Sequence, residues 1–432
     1  MLSNRIGCNS QQYCLRPLLA AAAFGSILAL PSVPANSQEL GRSNDEGTAL
    51  TVALQEIVES SRAKVEAPAL WAGVFKVQDH QIVESETTIV CTGVRKFGDS
   101  HKVTKEDLVH LGSCTKAMTA TLIAQAISQS KHDKTPLKFE STLAETFLKI
   151  DSLASSKWAT VTIQELLCHR SGAPANAKWF ELQSQFPDDP VASRKALLEW
   201  LVKQPRPTRP KYQYSNVGYA LLGHVLEERM GKPWESIIQE QLFAKLDINS
   251  AGFGPVAGDG QVEQPWGHVT DQGLGAEIGR GLGELFGRKS ETQWNSQQID
   301  NAVPLGPAGR CHMRLGDWAK FVVLFASKTV DPRLNIDEQT WSKLLDTKGQ
   351  SPGMPYAGGW IVVGNTSDAN FRLNHAGSNT TWYCIADVYP SRGEFTLVAS
   401  NSYSDSITAE CDNLLRKLVM LPTKLKSKDF KP

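Results

Sequence analysis

Strand-like segments lie near both ends of the chain and enclose a long central region with helical patterning. Near the N-terminus, the apolar runs Leu70–Val77 and Thr87–Val94 are bounded by turn-forming residues and predict a hairpin. Three more strands are predicted at Gly358–Val363, Thr381–Val388 and Glu394–Ser400. We therefore predict an α/β fold of the α+β type. Its antiparallel sheet is built from the N- and C-terminal strands, is flanked by helices and carries a large, mainly helical inserted lobe.

Helices are predicted where apolar residues recur three and four positions apart. The helices predicted on this basis are Leu50–Val65, Ser113–Ser128, Thr162–Cys168, Val191–Val202, Gly218–Met230, Trp234–Leu246 and Ser406–Val419. The glycine-rich segment 273–287 has neither the spacing nor the preceding strand of a dinucleotide-binding turn. We predict a loop there, bordering a cleft between the two lobes.

The N-terminus has the pattern of an export signal. Arg5 and Arg16 precede the apolar segment Leu18–Leu30, which is followed by prolines and by the small residues Ala35 and Ser37. The apolar segment is shorter than the roughly 20 residues that span a bilayer. We therefore predict a signal peptide over residues 1–37, a periplasmic or secreted location and no stable membrane insertion.

The composition excludes several classes of partner. The chain has 432 residues with 45 basic and 45 acidic side chains, so no strong field favours nucleic acid or an anionic membrane. The nine histidines form no ligand cluster and no C-x-x-C spacing occurs, so we expect no metal site and no cofactor. Six cysteines follow the predicted signal, and their pairing cannot be read from the sequence. Small-molecule partners are expected, and the oligomeric state stays open.

The segment SCTK offers two neighbouring nucleophiles, Ser113 and Cys114, at the start of a predicted helix. On a helix, residues three apart share a face whereas residues two apart do not, so Lys116 faces Ser113 and not Cys114. A buried lysine that loses its proton accepts one from a hydroxyl. Ser113 is therefore the predicted nucleophile.

Two further motifs supply polar groups. In YSN, Tyr214 and Asn216 lie two apart before a predicted helix, so both project into one site if the backbone there is extended. In HAG, His375 and Gly377 precede the strand predicted at Thr381, and the glycine leaves backbone amides open to a ligand. If the YSN motif is taken alone, the favoured interpretation is that Tyr214 is an ordinary loop aromatic and that Asn216 is a helix N-cap.

Together, SCTK, YSN and HAG resemble in order and spacing the motifs S-x-x-K, Y-x-N and K-T-G of the serine β-lactamase and penicillin-binding-protein superfamily. The similarity is greatest to its class C β-lactamase-like branch. It covers about residues 50–421 and extends to the segments VTIQELLCHRSG, QPWGH and PAGRCHMRLGDWAKF. The β-lactamase/transpeptidase-like fold that it implies agrees with the arrangement predicted above.

The resemblance implies a domain division. A flexible segment at 38–49 precedes a catalytic domain at 50–422, which is followed by a basic tail at 423–432. Within the catalytic domain, the sheet lobe covers about 50–104 and 355–422, and the helical lobe covers about 105–354. His169 and His312, which lie outside the three motifs, are expected to be hydrogen-bonded core residues.

The resemblance also implies a role for each motif residue. Ser113 is the acylating nucleophile, Lys116 its base or the partner of its base, and Tyr214 a proton shuttle. Asn216 binds a substrate amide and holds the lysine. The remaining substrate-binding residues are His375, Gly377 and Ser378, with the amides of Ser113 and Ser378 as the oxyanion hole.

Two residues depart from the family pattern. His375 occupies the position of the lysine of K-T-G. The histidine therefore does not supply the permanent cation that holds substrate carboxylates in the family. Acidification toward about pH 6 is expected to charge His375. Arg310 stands where small residues are usual; it either adds charge near the cleft or caps a helix.

The expected function is an exported serine hydrolase that cleaves an ester, an amide or a cell-wall peptide. An esterase or D-amino-acid peptidase is favoured over an efficient β-lactamase. The alternatives are an acyl-transferase and a catalytically silent homologue that binds peptidoglycan or a protein partner.

Overall fold

A central antiparallel sheet with helices on both faces organises the protein. The computed structural model describes residues 44–426 apart from 209–210, 259, 261, 271–293, 328, 349, 351–352, 365–367 and 369. The predicted signal peptide and the glycine-rich segment 273–287 lie outside the described residues. So do 38–43 of the predicted flexible segment and 427–432 of the predicted tail.

The strands are short and lie mainly toward the two ends of the chain. They are β1 Ala69–Gln78, β2 Gln81–Ile82, β3 Thr88–Gly93, β4 Leu108–His110, β5 Gly252–Phe253, β6 Gly267–Thr270, β7 Trp294–Gln297, β8 Cys311–Arg314, β9 Tyr356–Ala357, β10 Trp360–Val363, β11 Arg372–Ser378, β12 Tyr383–Tyr389, β13 Glu394–Ser400 and β14 Ser402–Tyr403.

The main sheet has the order β2-β1-β13-β12-β11-β10-β9, with β3 also paired to β1. Strands β1 and β13 run antiparallel from Leu70 opposite Ser400 to Lys76 opposite Glu394, which joins the two ends of the chain. The predicted hairpin is formed by β1 and β3. The predicted fold class, an antiparallel sheet of N- and C-terminal strands with a helical insertion, is confirmed.

Most helices lie between β4 and β9. The helices are α1 Asn44–Lys64, α2 Thr115–Gln129, α3 Leu143–Thr146, α4 Asp151–Ala154, α5 Ile163–Leu167, α6 Trp179–Gln185, α7 Pro190–Val202, α8 Asn216–Met230, α9 Trp234–Ile238, α10 Gly306–Gly309, α11 Leu315–Ala326, α12 Glu338–Leu344 and α13 Asp405–Lys426.

Several boundaries differ from the sequence prediction. Helix α1 begins at Asn44, inside the segment 38–49 predicted as flexible, and α13 continues to Lys426, four residues into the predicted tail. The single helix predicted over Trp234–Leu246 is divided into α9, a π-helical turn and a 3₁₀ turn. Among the described residues, no helix is long and apolar enough to cross a membrane.

Successive residues of β1 contribute to apolar cores on opposite faces of the sheet. Leu70 and Val74 contribute to the apolar cluster that also contains Leu54 of α1 and Leu414 of α13. The neighbouring residue Trp71 contributes to the larger cluster on the opposite face, where α2 and α11 lie. Because successive strand residues point to opposite faces, this double burial explains why β1 reads as a nearly continuous apolar run.

The most consequential difference concerns the HAG motif. It was predicted to precede a strand, but His375 and Gly377 lie inside β11, which the sequence analysis did not predict. Along β11, buried and partly exposed residues alternate, with Ala376 and Ser378 partly exposed. The motif therefore forms part of the rigid sheet. The polar residues of β11, which include Asn374 and His375, interrupt the apolar pattern by which a buried strand is usually identified.

Candidate active site

Ser113 lies in a 3₁₀ turn, Gly112–Cys114, that joins β4 to α2. The prediction placed Ser113 on the α-helix itself. A 3₁₀ turn also aligns residues three apart, so Lys116 still faces Ser113 as predicted. Lys116 Nζ lies 3.1 Å from Ser113 Oγ. Cys114 points into the core, where its Sγ lies 3.6 Å from the carbonyl oxygen of His375. Ser113 is partly exposed and therefore accessible to a substrate, whereas Cys114 is buried.

Two glycines allow the nucleophile turn to pack directly on β11. Gly112 has a φ of +48°, and a Cβ there would lie 2.3 Å from the backbone nitrogen of Ser378. A Cβ on Gly377 would lie 2.0 Å from the carbonyl oxygen of Leu111. No side chain fits into such spaces, so these positions require glycine. The close packing places the backbone of Ser378 beside the turn that carries Ser113.

Lys116 is fully buried and has three hydrogen-bonding partners. Its Nζ lies 3.1 Å from Ser113 Oγ, 2.7 Å from Asn216 Oδ1 and 2.6 Å from the carbonyl oxygen of Ala308. Burial lowers the pKa of Lys116 well below its ordinary value. A neutral amine has two N–H groups for the two carbonyl acceptors and one lone pair, which then accepts the Ser113 hydroxyl proton.

A chain of hydrogen bonds fixes the orientation of Asn216. Trp179 Nε1, which can only donate, lies 3.2 Å from Asn176 Oδ1. The same oxygen accepts from Asn216 Nδ2 at 2.8 Å. Asn216 Oδ1 is consequently turned toward Lys116. Asn176 was not identified in the sequence, although it follows closely on the VTIQELLCHRSG segment.

Tyr214 and Asn216 both reach the site, as predicted from their spacing. Tyr214 lies next to Ser113, and Lys116 Nζ lies 4.9 Å from the centre of the Tyr214 ring. The N-cap of α8 is Ser215, whose Oγ accepts from the Gly218 amide at 3.0 Å, so Asn216 is not the cap. Burial raises the pKa of Tyr214 well above its ordinary value, so the phenol is protonated at neutral pH.

His375 is neutral and buried. Its Nε2 lies 2.9 Å from the Tyr356 hydroxyl, and within the described part of the chain its Nδ1 has no hydrogen-bond partner. Burial, followed by the charge of nearby Lys116, lowers the pKa of His375 to about 3. The expectation that acidification toward pH 6 charges His375 is therefore wrong, because proton uptake there requires a charge in a dry environment.

Part of β11 next to the nucleophile has a pairing strand, β12, on one side only among the described strands. Strand β10 pairs with β11 only from Arg372 to Asn374. Residues 375–378 are therefore not paired with β10 on that edge, although they pair with β12 on the other. Gly377 and Ser378 lie in this part of β11; Gly377 is buried against the nucleophile turn and Ser378 is partly exposed.

Two residues outside the three motifs receive a structural explanation. His169 Nδ1 accepts a hydrogen bond from the Ser215 amide at 3.1 Å, and His312 Nδ1 pairs with the carbonyl of Gly254 at 3.1 Å. Both are buried core histidines, as predicted.

Arg310 does not present a free charge to the cleft. It follows α10, and its Nε donates to Asp300 Oδ2 at 3.0 Å with most of the side chain removed from solvent. No group of three or more potential metal ligands occurs in the described ranges.

Comparisons with known proteins agree with the motifs and the fold. The Beta-lactamase family model matches residues 69–414, which is most of the chain. The protein belongs to the Beta-lactamase family. Its described fold resembles that of a class C β-lactamase from Rhodobacter sphaeroides, with a TM-score of 0.63 and 19% identity over 85% of this chain and 99% of that one.

Relatives in the Beta-lactamase family are distant in sequence. Penicillin-binding protein 4 of Amycolatopsis lactamdurans is 27% identical over 46% of this chain and 48% of its own length. Unguisins hydrolase ungD' of Aspergillus campestris (strain IBT 28561) is 24% identical over 49% of this chain and 38% of its own length. The chain thus spans less than half the length of these two relatives.

Proposed function

We propose that the protein is a serine hydrolase that cleaves an ester or amide through an acyl-enzyme on Ser113. One observation carries this proposal: the Nζ of fully buried Lys116 lies 3.1 Å from Ser113 Oγ and within hydrogen-bond distance of two carbonyl acceptors, and burial lowers the pKa of Lys116 well below its ordinary value. This is the arrangement that a general base needs before it removes a hydroxyl proton.

The proposed reaction has two stages. Ser113 Oγ attacks the substrate carbonyl carbon while its proton passes to Lys116, and the negative carbonyl oxygen is stabilised by the amides of Ser113 and Ser378. Tyr214, which is protonated, delivers a proton to the leaving alkoxide or amine and is reprotonated from Lys116. A water molecule then attacks the acyl-enzyme with Lys116 as base, which releases the acid and restores Ser113.

The environment of His375 supports a preference for substrates that are recognised without a carboxylate. A penicillin or a peptide with a free C-terminus gains from a permanent cation, and the neutral imidazole at this position provides none. A small ester requires only the nucleophile and the oxyanion donors. We therefore propose that esterase activity exceeds β-lactamase activity, and that a D-amino-acid peptidase activity, if present, acts on peptides without a free C-terminal carboxylate.

The first prediction tests the nucleophile and the substrate class together. Purified protein is exposed to 4-nitrophenyl acetate, a D-alanyl-D-alanine peptide and a penicillin, and the covalent adducts are measured by intact mass. We expect an acetyl adduct on the wild type and on Cys114→Ala, none on Ser113→Ala, and faster turnover of the ester than of the penicillin. An adduct that persists in Ser113→Ala, or faster penicillin turnover, contradicts the proposal.

The same experiment separates the hydrolase from two other readings. Transfer of the acyl group to an added alcohol or amine in preference to water would identify an acyl-transferase. Absence of any adduct would leave a binding protein as the better reading.

We also propose that the protein is exported and acts in the periplasm or outside the cell. The pattern of Arg5, Arg16 and the apolar segment Leu18–Leu30 supports this proposal. N-terminal sequencing of protein recovered from the extracytoplasmic fraction tests it, with a start near residue 38 as the expected result.

A further inference from the structure

A buried polar network lies beneath the nucleophile turn, outside the three motifs. It consists of His110 at the end of β4, Asp300 in the segment before α10, and Arg310 after α10. The His110 side chain is fully buried and only 3% of the Asp300 side chain is exposed. His110 Nε2 and Asp300 Oδ1 are 2.7 Å apart. Buried charges and imidazoles are costly unless their partners hold a defined geometry, so the contacts of this network merit a functional explanation.

The two ring nitrogens of His110 have opposite roles. The Gly112 amide donates to His110 Nδ1 at 3.1 Å, so Nδ1 carries the lone pair. Ionised Asp300 can only accept, so Nε2 carries the proton. A single tautomer of the neutral ring satisfies both contacts, and Asp300 selects that tautomer.

Asp300 is itself held by further donors. Its Oδ1 also accepts from the Asn301 amide at 2.6 Å, and its Oδ2 accepts from the Gly254 amide at 3.1 Å and from Arg310 Nε at 3.0 Å. Burial by itself would raise the pKa of Asp300, but the hydrogen bonds from His110 and the Asn301 amide and the charge of Arg310 act in the opposite direction, and the pKa is lowered. The carboxylate is thus ionised and fixed in direction. Arg310, unusual in the family pattern, supplies part of the compensating charge.

The amide that His110 accepts belongs to the residue before the nucleophile. Gly112 has a φ of +48°, a conformation that only glycine adopts without strain, and it contacts the backbone of Ser378. The Gly112 amide belongs to the Leu111–Gly112 peptide, which directly precedes the peptide that carries the Ser113 amide. Rotation of the first peptide would shift the second and with it the Ser113 side chain, which lies 3.1 Å from Lys116 Nζ. His110 Nδ1 opposes that rotation.

We propose that His110, oriented by Asp300, is a positioning residue that holds the Gly112 peptide and thereby sets the Ser113 hydroxyl and its amide for catalysis. This inference rests on the proposed function of Ser113. It assigns a role to a histidine that touches neither the substrate nor the reacting atoms.

Two substitutions at His110 separate its two contacts. The Oδ1 atom of asparagine is as many bonds from Cβ as Nδ1, so His110→Asn keeps an acceptor for the Gly112 amide. The Nε2 atom of glutamine corresponds to His110 Nε2, so His110→Gln keeps the donor to Asp300 and loses that acceptor. We expect acylation by 4-nitrophenyl acetate to be at least about tenfold slower in His110→Gln than in His110→Asn, with the difference in kcat rather than KM.

A second measurement follows the contact itself. Hydrogen–deuterium exchange of the peptide that contains residues 111–114 should be faster in His110→Gln than in His110→Asn. This readout does not depend on turnover, so it decides the positioning role even if the wild type is not acylated. Absence of wild-type acylation would count against the proposed hydrolase alone.

His224 provides a matched control. It is also a buried histidine paired with a carboxylate, 3.0 Å from Glu227 Oε2, and its ring stacks on Phe147. His224→Asn and His224→Gln should both lower Tm and leave the ratio of their acylation rates near one. Equal acylation rates and equal exchange in the two His110 variants would overturn the positioning role. For a purely structural histidine, losing the acceptor for the Gly112 amide should have the same effect on these two measurements as losing the donor to Asp300.

Discussion

At the scale of single residues, the protonation state of Lys116 decides the chemistry. The side chain is enclosed by Ser113, Asn216 and the carbonyl of Ala308, and burial lowers its pKa well below the ordinary value. Tyr214 differs, because burial raises its pKa and keeps the phenol protonated. The opposite shifts support the proposed roles of Lys116 as base and Tyr214 as proton donor, since burial favours the neutral form of each group.

The pH dependence of acylation follows from the lowered pKa of Lys116. Above that pKa the amine is neutral and the rate is constant; below it the amine is protonated and the rate falls. In Lys116→Met, the acylation rate should be lower than in the wild type by about two orders of magnitude or more. The rate should also no longer fall with decreasing pH in the way that protonation of Lys116 causes. Stopped-flow acylation between pH 4 and 9 measures both properties. A Lys116→Met variant with a wild-type rate would remove the lysine from the mechanism.

At the scale of secondary-structure elements, the site depends on the contact between β11 and the nucleophile turn. Gly377 makes this contact possible, because a Cβ at that position would lie 2.0 Å from the carbonyl oxygen of Leu111 and 2.8 Å from the amide nitrogen of Ser113. Both obstructing atoms belong to the backbone, so relief requires the strand and the turn to separate. The distance between the oxyanion donors would then change.

Gly377→Ala is accordingly expected to impair the site more than the fold. We predict a loss of about 1–3 kcal/mol in the free energy of unfolding, in the range for overpacking. The acylation rate should fall by about tenfold or more, because the displacement acts directly on Ser113. Urea denaturation and ester turnover measure the two effects.

Gly218→Ala is the control for this change. Gly218 lies in α8, and a Cβ there would meet its nearest neighbours at 3.6 Å, an ordinary van der Waals distance. Alanine should stabilise the helix by up to about 1 kcal/mol and leave turnover unchanged. A Gly377→Ala protein with full activity would show that the contact with β11 is not needed for catalysis.

At the scale of the whole molecule, buried neutral histidines link stability to pH. Burial lowers the pKa of His268 and His312 to about 4 and that of His375 to about 3, and it lowers the pKa of His169 well below its ordinary value. In the unfolded chain these residues titrate near pH 6.5. The unfolded state therefore binds more protons than the folded state once the pH falls below about 6.5.

Their stabilising contribution is complete above about pH 6.5 and is lost as the pH falls toward the folded values. Each histidine contributes a slope of up to about 1.4 kcal/mol per pH unit in that interval. Urea denaturation at pH 7.5, 6.5, 5.5 and 4.5 should show a steep fall in the free energy of unfolding. His268→Gln should reduce the slope. A stability that is constant between pH 7.5 and 5 would contradict this prediction.

Much of the fold and of the site could be predicted because the signals were local. Strand and helix periods depend on neighbouring residues, so β1, β3, β13 and α8 were placed within a few residues. The pairing of Ser113 with Lys116 also follows from local geometry, because residues three apart face each other in both an α-helix and a 3₁₀ turn.

Long-range contacts determined what the sequence left open. Strand β11 was missed because four of its seven residues, Arg372, Asn374, His375 and Ser378, are polar and interrupt the apolar pattern of a buried strand. The neutrality of His375 comes from burial beside Tyr356, and no local pattern reports burial of that kind. Asp300 and His110, 190 positions apart in the sequence, meet only when β4 and the segment before α10 are packed together. The sequence by itself determined which groups can react, and the tertiary structure decided their protonation, direction and partners, because these depend on solvent exclusion and on contacts between distant segments.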